Sequence, residues 1–297
     1  ALLADHYSRQ MNADATNLLA LRQRRFDVME RRVAAGAVAR PELDRVRDEL
    51  ATARSVLSTV VAEQQRARLD LASAIGVAPF ALDTLTVVAD DSLTEIGHPL
   101  AQNYVATALT MRTDILSAVV AYDRAESECR SAIAAQFPEL RVGPGYTWER
   151  GLSKLPLAIS LSFPSWDLNK AAIQAAEATR ADSGARLEAA VANVVANIAV
   201  AEADYRAALD AQTLVQTQTL PVAKRLADQA ENELAAGCID RAQWAVAQAG
   251  RVSAKLDEFA ARRRVGEALV SLEDALRMPL SGPETLIGVA ALESQSQ

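Results

Sequence analysis

Cysteine is nearly absent from these 297 residues, and the two present, Cys129 and Cys238, are too far apart to suggest a metal-ligand spacing or a disulfide framework. Histidine is equally scarce: His6 and His98 are isolated and read as ordinary surface residues. The chain carries no nucleophile elbow, phosphate loop, HExxH or paired-cysteine motif, so it reads as a non-enzyme with no cofactor and no metal. It also lacks a Lys/Arg block, and a net charge of −7 with a pI near 5.1 excludes nucleic acid as a natural partner. Aromatic residues are few, 4% against 50% hydrophobic overall, with alanine dominant. Packing must then come from close approach of helices, a composition that favours long coiled-coil-like elements over a compact globule.

What is present is mostly helix. Residues 2–35 hold no Pro or Gly and stop at Gly36, a residue suited to a left-handed C-cap. A second helix begins near Arg40, with Pro41 just inside its start, and ends at Gly76. At about 1.5 Å per residue each arm is roughly 50 Å long. Its apolar residues Leu43, Val46, Leu50, Ala53, Leu57, Val60 and Val61 recur at threes and fours, a narrow coiled-coil seam. Residues 1–76 are therefore expected to form a helical hairpin. Residues 77–99, marked by Pro79, Gly97 and Pro99, form a connector laid against the helices, and a third helix spans 100–136. From Leu168 or Asn169 a fourth helix of about 100 Å runs to Gly237, interrupted only at Gly184 and by a kink at Pro221. A last helix from about Asp240 to Arg277 closes a second hairpin, 168–278, and 279–297 reads as a tail.

Between the third and fourth helices, residues 137–167 change period. Leu140, Val142, Tyr146 and Trp148 alternate with Glu139, Arg141, Thr147 and Glu149, which is the period of a strand with one apolar face. After a turn over Arg150–Lys154, Leu155, Leu157, Ile159, Leu161 and Phe163 alternate with Ala158, Ser160 and Ser162. This is an amphipathic β-hairpin with strands of about 9–11 residues, the length a tilted strand needs to cross a bilayer. A soluble hairpin laid on a helical bundle satisfies the same pattern.

The two helical hairpins are copies of each other. A shift of 201 residues places Ala34-Ala35-Gly36 on Ala235-Ala236-Gly237, Ala53-Arg54 on Ala254-Lys255, and Leu71 on Leu272. Such a repeat signals a quasi-symmetric architecture.

Four stretches in this order carry a family resemblance: RRVAAGAVARPELDRVRDELATARSVLS with its return through LDLASAIG, MRTDILSAVVAYDRAE leading into AAQFPELRVGPGYTWE, LSFPSWDLNKAAIQAAEATR, and LPVAKRLADQAENELAAGCIDRAQWAVAQ. The chain resembles the TolC-type outer-membrane efflux channels over most of its length. The resemblance implies a mainly α chain, an α-barrel protomer of long antiparallel helical hairpins whose amphipathic β-hairpin joins a trimeric membrane β-barrel. It implies a homotrimer in the cell outer membrane with helices in the periplasm. It also implies a passive conduit for substrate delivered by an inner-membrane pump and a periplasmic adaptor.

On that resemblance Gly36, Ala37, Val38, Arg40, Gly237, Cys238, Ile239 and Asp240 form an adaptor-docking tip. Family aperture carboxylates fall on Gln243 and Val246, and Glu42 alone keeps an acid at a matching position. Glu42 and Gln243 near the tip, with Glu139, Arg141 and Glu149 in the barrel, are the lumen or gate candidates. Leu140, Val142, Tyr146, Trp148, Leu157, Ile159, Leu161 and Phe163 are expected to face outer-membrane lipid. The family's Arg-Pro-Asp is here Arg112-Thr113-Asp114, leaving an Arg/Asp structural pair. No signal peptide, lipidation cysteine or first strand hairpin precedes Ala1, so the chain reads as a fragment, with a naturally short member as the alternative. Two other classes fit part of the pattern. A periplasmic adaptor needs strand-rich flanking segments not found here, and a soluble coiled-coil protein leaves the hairpin and the repeat without a reason.

Overall fold

Helices α1 (Leu2–Ala34) and α2 (Arg40–Ile75) fold back on one another because the sequence between them supplies a stop and a restart. The computed structural model describes residues 1–84, 103–162 and 168–280. At the stop, Gly36 takes φ 72°, its N–H donates to the Val33 carbonyl at 3.0 Å, and the Ala37 N–H donates to Arg32 at 2.9 Å. This is the paired closure of a Schellman cap, and it satisfies two carbonyls that the helix leaves open. Pro41 then sits in the first turn of α2, where a missing N–H costs nothing.

The seam obeys a heptad. Val46, Leu50, Ala53, Val60, Ala67 and Leu71 are buried at spacings of three, four or seven, and Leu57 occupies the remaining apolar position half-buried. Gln64 takes the next seam position, where its amide oxygen accepts from Asn12 Nδ2 at 2.5 Å. Leu43 and Val61 lie at the margin of the seam, half-buried. Met11, Ala15, Leu18 and Leu21 of α1 meet Ala53 and Val60 together with Ala249, Val252 and Leu256 from the last helix. A buried Arg25, with Arg22, pairs with Glu49 across the two helices. After the Gly76 cap, a 3-10 helix over Pro79–Thr84 buries Leu82 on Leu71 and Ala72. The rest of the expected connector and the residues after 280 lie outside the described residues.

The third helix expected over 100–136 is two helices. α3 (Asn103–Met111) and α4 (Thr113–Ala134) meet at a bend of 56°, with Arg112 extended at ψ 125° between them. The break has a local cause: Asp114 accepts from the Ile115 N–H at 3.0 Å and thereby caps α4 from inside its first turn.

Strands β1 (Glu139–Pro144), β2 (Thr147–Glu149), β3 (Leu152–Lys154) and β4 (Leu157–Ser162) form one antiparallel hairpin in a single register, since β1 pairs with β4 and β2 with β3 without slippage. Its turn is shorter than the sequence suggests. Arg150 and Gly151 alone form it, with φ 52° and 81°, the backbone of a two-residue type I′ hairpin turn. Leu152–Lys154 belong to the strand. Ser153 is a polar residue on the apolar face and pairs with Trp148 in the ladder. The ladder pauses at Pro156, which has no N–H to give, while the Gly145 N–H donates to the Pro156 carbonyl at 2.8 Å and holds the register through the gap.

Helix α5 (Lys170–Leu214) starts after Leu168 and Asn169, both at positive φ, and passes Gly184 without interruption. A Cβ on Gly184 would only touch Tyr122 at 3.5 Å. Before Pro221 the helix opens into a π turn, Val215–Thr219, and continues as α6 (Leu220–Ala235). The wider turn removes a carbonyl from the path of the proline ring, which accounts for a π turn where the sequence suggested a kink. α7 (Arg241–Leu276) follows. Its bounds are those of α2 plus 201, and α6 ends 201 residues after α1. Arg277, the equivalent of Gly76, also takes positive φ, 55°.

Contacts group the chain into two units. One holds α1, α2, the 3-10 helix, α5 from Val200, α6, and α7 as far as Asp274. The other holds α3, α4, the four strands, α5 as far as Ala199, and Ala275–Arg277.

Candidate functional site: the amphipathic hairpin and the paired tip turns

In an antiparallel ladder, directly paired residues share a face, so the register decides whether the alternating pattern is coherent. Leu140 pairs with Leu161, Val142 with Ile159 and Pro144 with Leu157, which places all six on one face. Glu139 with Ser162, Arg141 with Ser160 and Gly143 with Ala158 occupy the other. A one-residue slip would have mixed them. Tyr146 and Trp148 continue the apolar face at the turn end by the same parity.

None of that apolar face is covered. Leu140 is 62% exposed, Ile159 65% and Trp148 64%, and every strand residue is exposed. Among the described residues nothing packs on this stripe as a core. The polar face is linked internally by Arg141 to Glu139 at 2.9 Å and by Lys154 to Glu149 at 2.8 Å. Three of the lumen candidates are thus ion-paired on one face of one hairpin. Phe163 lies outside the described residues.

At the opposite kind of element, the two tip turns repeat atom for atom. Gly237 takes φ 71°, its N–H donates to Leu234 at 3.0 Å, and the Cys238 N–H donates to Glu233 at 2.9 Å. Gly36, Ala37, Arg40, Gly237 and Cys238 are exposed, while Val38, Ile239 and Asp240 are partly covered. The copies differ at the restart. Ala39 caps α2 without a side chain, whereas Asp240 Oδ1 accepts from the Gln243 N–H at 2.8 Å and Gln243 Oε1 accepts from the Asp240 N–H at 3.2 Å. This is a capping box, and it commits Gln243 to holding α7 in place. Asp240 also accepts from Arg32 Nη2 at 2.6 Å, which ties the two turns together. The Gln243 N–H and the Arg32 guanidinium together hold the Asp240 carboxyl below the usual carboxylate range. Glu42 stands apart from this group and pairs with Arg45 at 2.7 Å. Sequence reasoning missed Arg32, because an arginine in the last turn of a helix has a sufficient local reason to be there.

The Arg112–Asp114 pair is formed. Arg112 Nε and Nη2 donate to Asp114 at 3.0 and 2.7 Å, and Nη1 donates to the Ala275 carbonyl at 2.5 Å, fastening the last turn of α7 to the start of α4. The guanidinium beside Asp114 pulls its carboxyl down to about 2.

Among the described residues no cluster of ligating side chains is placed to hold a metal. What the fold presents is a strand hairpin with one coherent, exposed apolar face, set in the chain between two repeated helical hairpins. Residues 105–276, more than half of the chain, match the family described as outer membrane efflux protein, and the chain belongs to that family. Comparison with curated proteins returns no match. Solved structures share the fold. A membrane protein from Pseudomonas aeruginosa aligns at TM-score 0.68 and 18% identity over 92% of this chain and 63% of its own. The open state of the MtrE outer membrane channel of Neisseria gonorrhoeae aligns at 0.66 and 22% over 95% and 66%. The outer membrane protein VceC of Vibrio cholerae aligns at 0.65 and 18% over 94% and 68%. The chain thus spans about two thirds or less of the first two of these structures.

Proposed function

We propose that this chain is a subunit of a trimeric outer-membrane channel, the passive exit duct of a tripartite efflux or secretion system. The observation that carries the reading is the hairpin. A stripe of at least six apolar residues in coherent register, all exposed, on strands long enough to cross a bilayer, is the pattern of a strand pair that turns one face to lipid. Such strands must close into a barrel with other strands, because an open edge in hydrocarbon leaves backbone groups unpaired. The polar face, with Glu139, Arg141, Glu149 and Lys154, lines the water-filled side.

The helical hairpins 1–76 and 168–278 extend the duct into the periplasm, and 137–167 is the membrane segment. The chain performs no chemistry; a pump supplies the energy, and an adaptor docks at the tip formed by Gly36–Arg40 and Gly237–Asp240. Two features support the tip as a docking surface: the turns are repeated and exposed, and Arg32–Asp240 holds them as one patch. The test is to isolate the protein from outer membranes, measure its mass in detergent and record planar-bilayer currents. A trimer with discrete conductance steps is expected; a monomer in the soluble fraction with no conductance overturns the reading.

A further inference from the structure

Two of the cations on the strand hairpin are answered on its polar face, Arg141 by Glu139 and Lys154 by Glu149. Arg150 is different. It stands exposed in the two-residue turn, and its guanidinium makes no ion pair or side-chain hydrogen bond among the described residues. It follows Trp148 by two residues, so by strand parity it belongs to the end of the apolar stripe. The turn itself does not call for arginine. A type I′ turn needs positive φ at both positions, which glycine, asparagine or aspartate supplies with least strain, yet Arg150 takes φ 52° there.

Depth follows from the register. Leu140 to Trp148 is eight residues, about 27 Å along a strand and about 21 Å across a bilayer at a tilt of about 40°, close to the apolar band of about 25 Å that membrane barrels present. Trp148 and the Ser153 paired with it then lie at the hydrocarbon edge, with Tyr146 beneath them and Arg150 beyond, among headgroups. The other end of the stripe supplies a comparison. Two residues before Leu140 stands Pro138, which carries no charge. Helices α4 and α5 leave the hairpin at that end, so on the channel reading it faces the periplasm and the turn faces the exterior.

We propose that the turn end of the hairpin binds the phosphate of an outer-leaflet glycolipid. The inference rests on the channel reading. The outer leaflet of an outer membrane is built of phosphorylated glycolipid, whose headgroup places anionic oxygens at the depth of Arg150. A guanidinium fork matches a phosphate in geometry as well as charge. Ser153 gives the same headgroup a hydroxyl, and Trp148 and Tyr146 lie against the upper part of its acyl chains. A lipid phosphate thus answers the cation that the hairpin leaves unanswered and gives a reason for arginine at a strained turn position.

The test uses the native protein isolated from outer membranes as a detergent-solubilised trimer. It is titrated with bisphosphorylated lipid A, with the same lipid stripped of its phosphates, and with phosphatidylglycerol, and bound lipid is counted by native mass spectrometry. Lipid A is expected to bind at one copy per subunit, at least about tenfold more tightly than the dephosphorylated form and more tightly than phosphatidylglycerol. Arg150→Asn suits the turn better than the parent residue and so leaves the fold in place. It is expected to lower lipid A affinity to that of the dephosphorylated lipid, while Arg150→Lys keeps part of the preference. Equal affinity for lipid A with and without phosphates, or an Arg150→Asn trimer that binds as the parent does, overturns the site. Equal binding of phosphatidylglycerol, or displacement of lipid A by inorganic phosphate alone, overturns the glycolipid as its occupant. A protein that neither forms a trimer nor conducts in planar bilayers overturns the channel reading and this site with it; a conducting trimer without phosphate preference overturns the headgroup site alone.

Discussion

Replacing Arg112 with methionine keeps the length and the apolar stem of the side chain and removes its hydrogen bonds to Asp114 and Ala275, three among the described residues. Two of them join a carboxylate whose side chain is 53% exposed, so on loss of the partner Asp114 returns largely to water. The third serves the Ala275 carbonyl, next to a guanidinium that is itself nearly buried. A hydrogen bond to a charged group contributes about 1.5–3 kcal/mol and an exposed pair under about 1, so the loss is about 2–3 kcal/mol. Asp114→Asn keeps the carbonyl contact and removes only the charge pairing, at about 1 kcal/mol. The same pair has a pH signature. Folding lowers the Asp114 carboxyl from 3.8 to about 2, so its contribution is full above the ordinary value and is lost as pH falls through about 2. Two units at full strength would be worth roughly 2.5 kcal/mol, which the exposure of Asp114 cuts to about 1. Far-UV circular dichroism of the detergent-solubilised protein reads both effects. Arg112→Met is expected to melt about 5 °C lower, and the acid-labile increment is expected to vanish in Asp114→Asn. An Arg112→Met protein melting within 1 °C of the parent, with parent and Asp114→Asn equally acid-sensitive, refutes the clip.

Leu272 is fully buried and its repeat equivalent Leu71 nearly so, whereas Leu57 is only half-buried. Leu272→Asp is therefore expected to cost more than about 4 kcal/mol and to abolish assembly, and Leu57→Asp about 1–2 kcal/mol; chemical denaturation and oligomer mass check the order. At the tip, any side chain at Gly237 pays for its φ of 71° by about 1–2 kcal/mol, so Ala37→Trp is the cleaner probe. It is expected to abolish efflux while the trimer still reaches the outer membrane, and normal efflux contradicts docking there.

The helical hairpins were legible because their determinants are local. A glycine that supplies φ near +70°, a proline in the first turn and a heptad seam all act within a few residues, and the offset of 201 fixes both copies at once. The features that escaped depend on distant partners or on small backbone choices. Arg112, which stands at the break of the third helix, donates to the Ala275 carbonyl 163 residues away. The turn is Arg150–Gly151 and not the expected Arg150–Lys154, since the register pairs the polar Ser153 with Trp148 on the apolar face. Pro221 announced a disturbance in the long helix, but nothing in the sequence distinguishes a kink from a π turn. Of the site, the alternating faces of the hairpin were readable from period alone; the Arg32–Asp240 tie was not, since its partners are 208 residues apart and each has a local role.

The measurement that bears most directly on the channel reading is spin-label accessibility along 139–162 in the native protein, reconstituted in lipid bilayers. Single labels are introduced in turn and relaxed by oxygen, which partitions into lipid, and by a water-soluble nickel chelate. The hairpin register requires a period of two: labels at 140, 142, 157, 159 and 161 relaxed by oxygen, and labels at 139, 141, 158, 160 and 162 relaxed by nickel. Paired positions across the ladder must agree with each other. Uniform access of nickel to both faces, or oxygen and nickel varying without alternation, would place the hairpin in water and contradict the account.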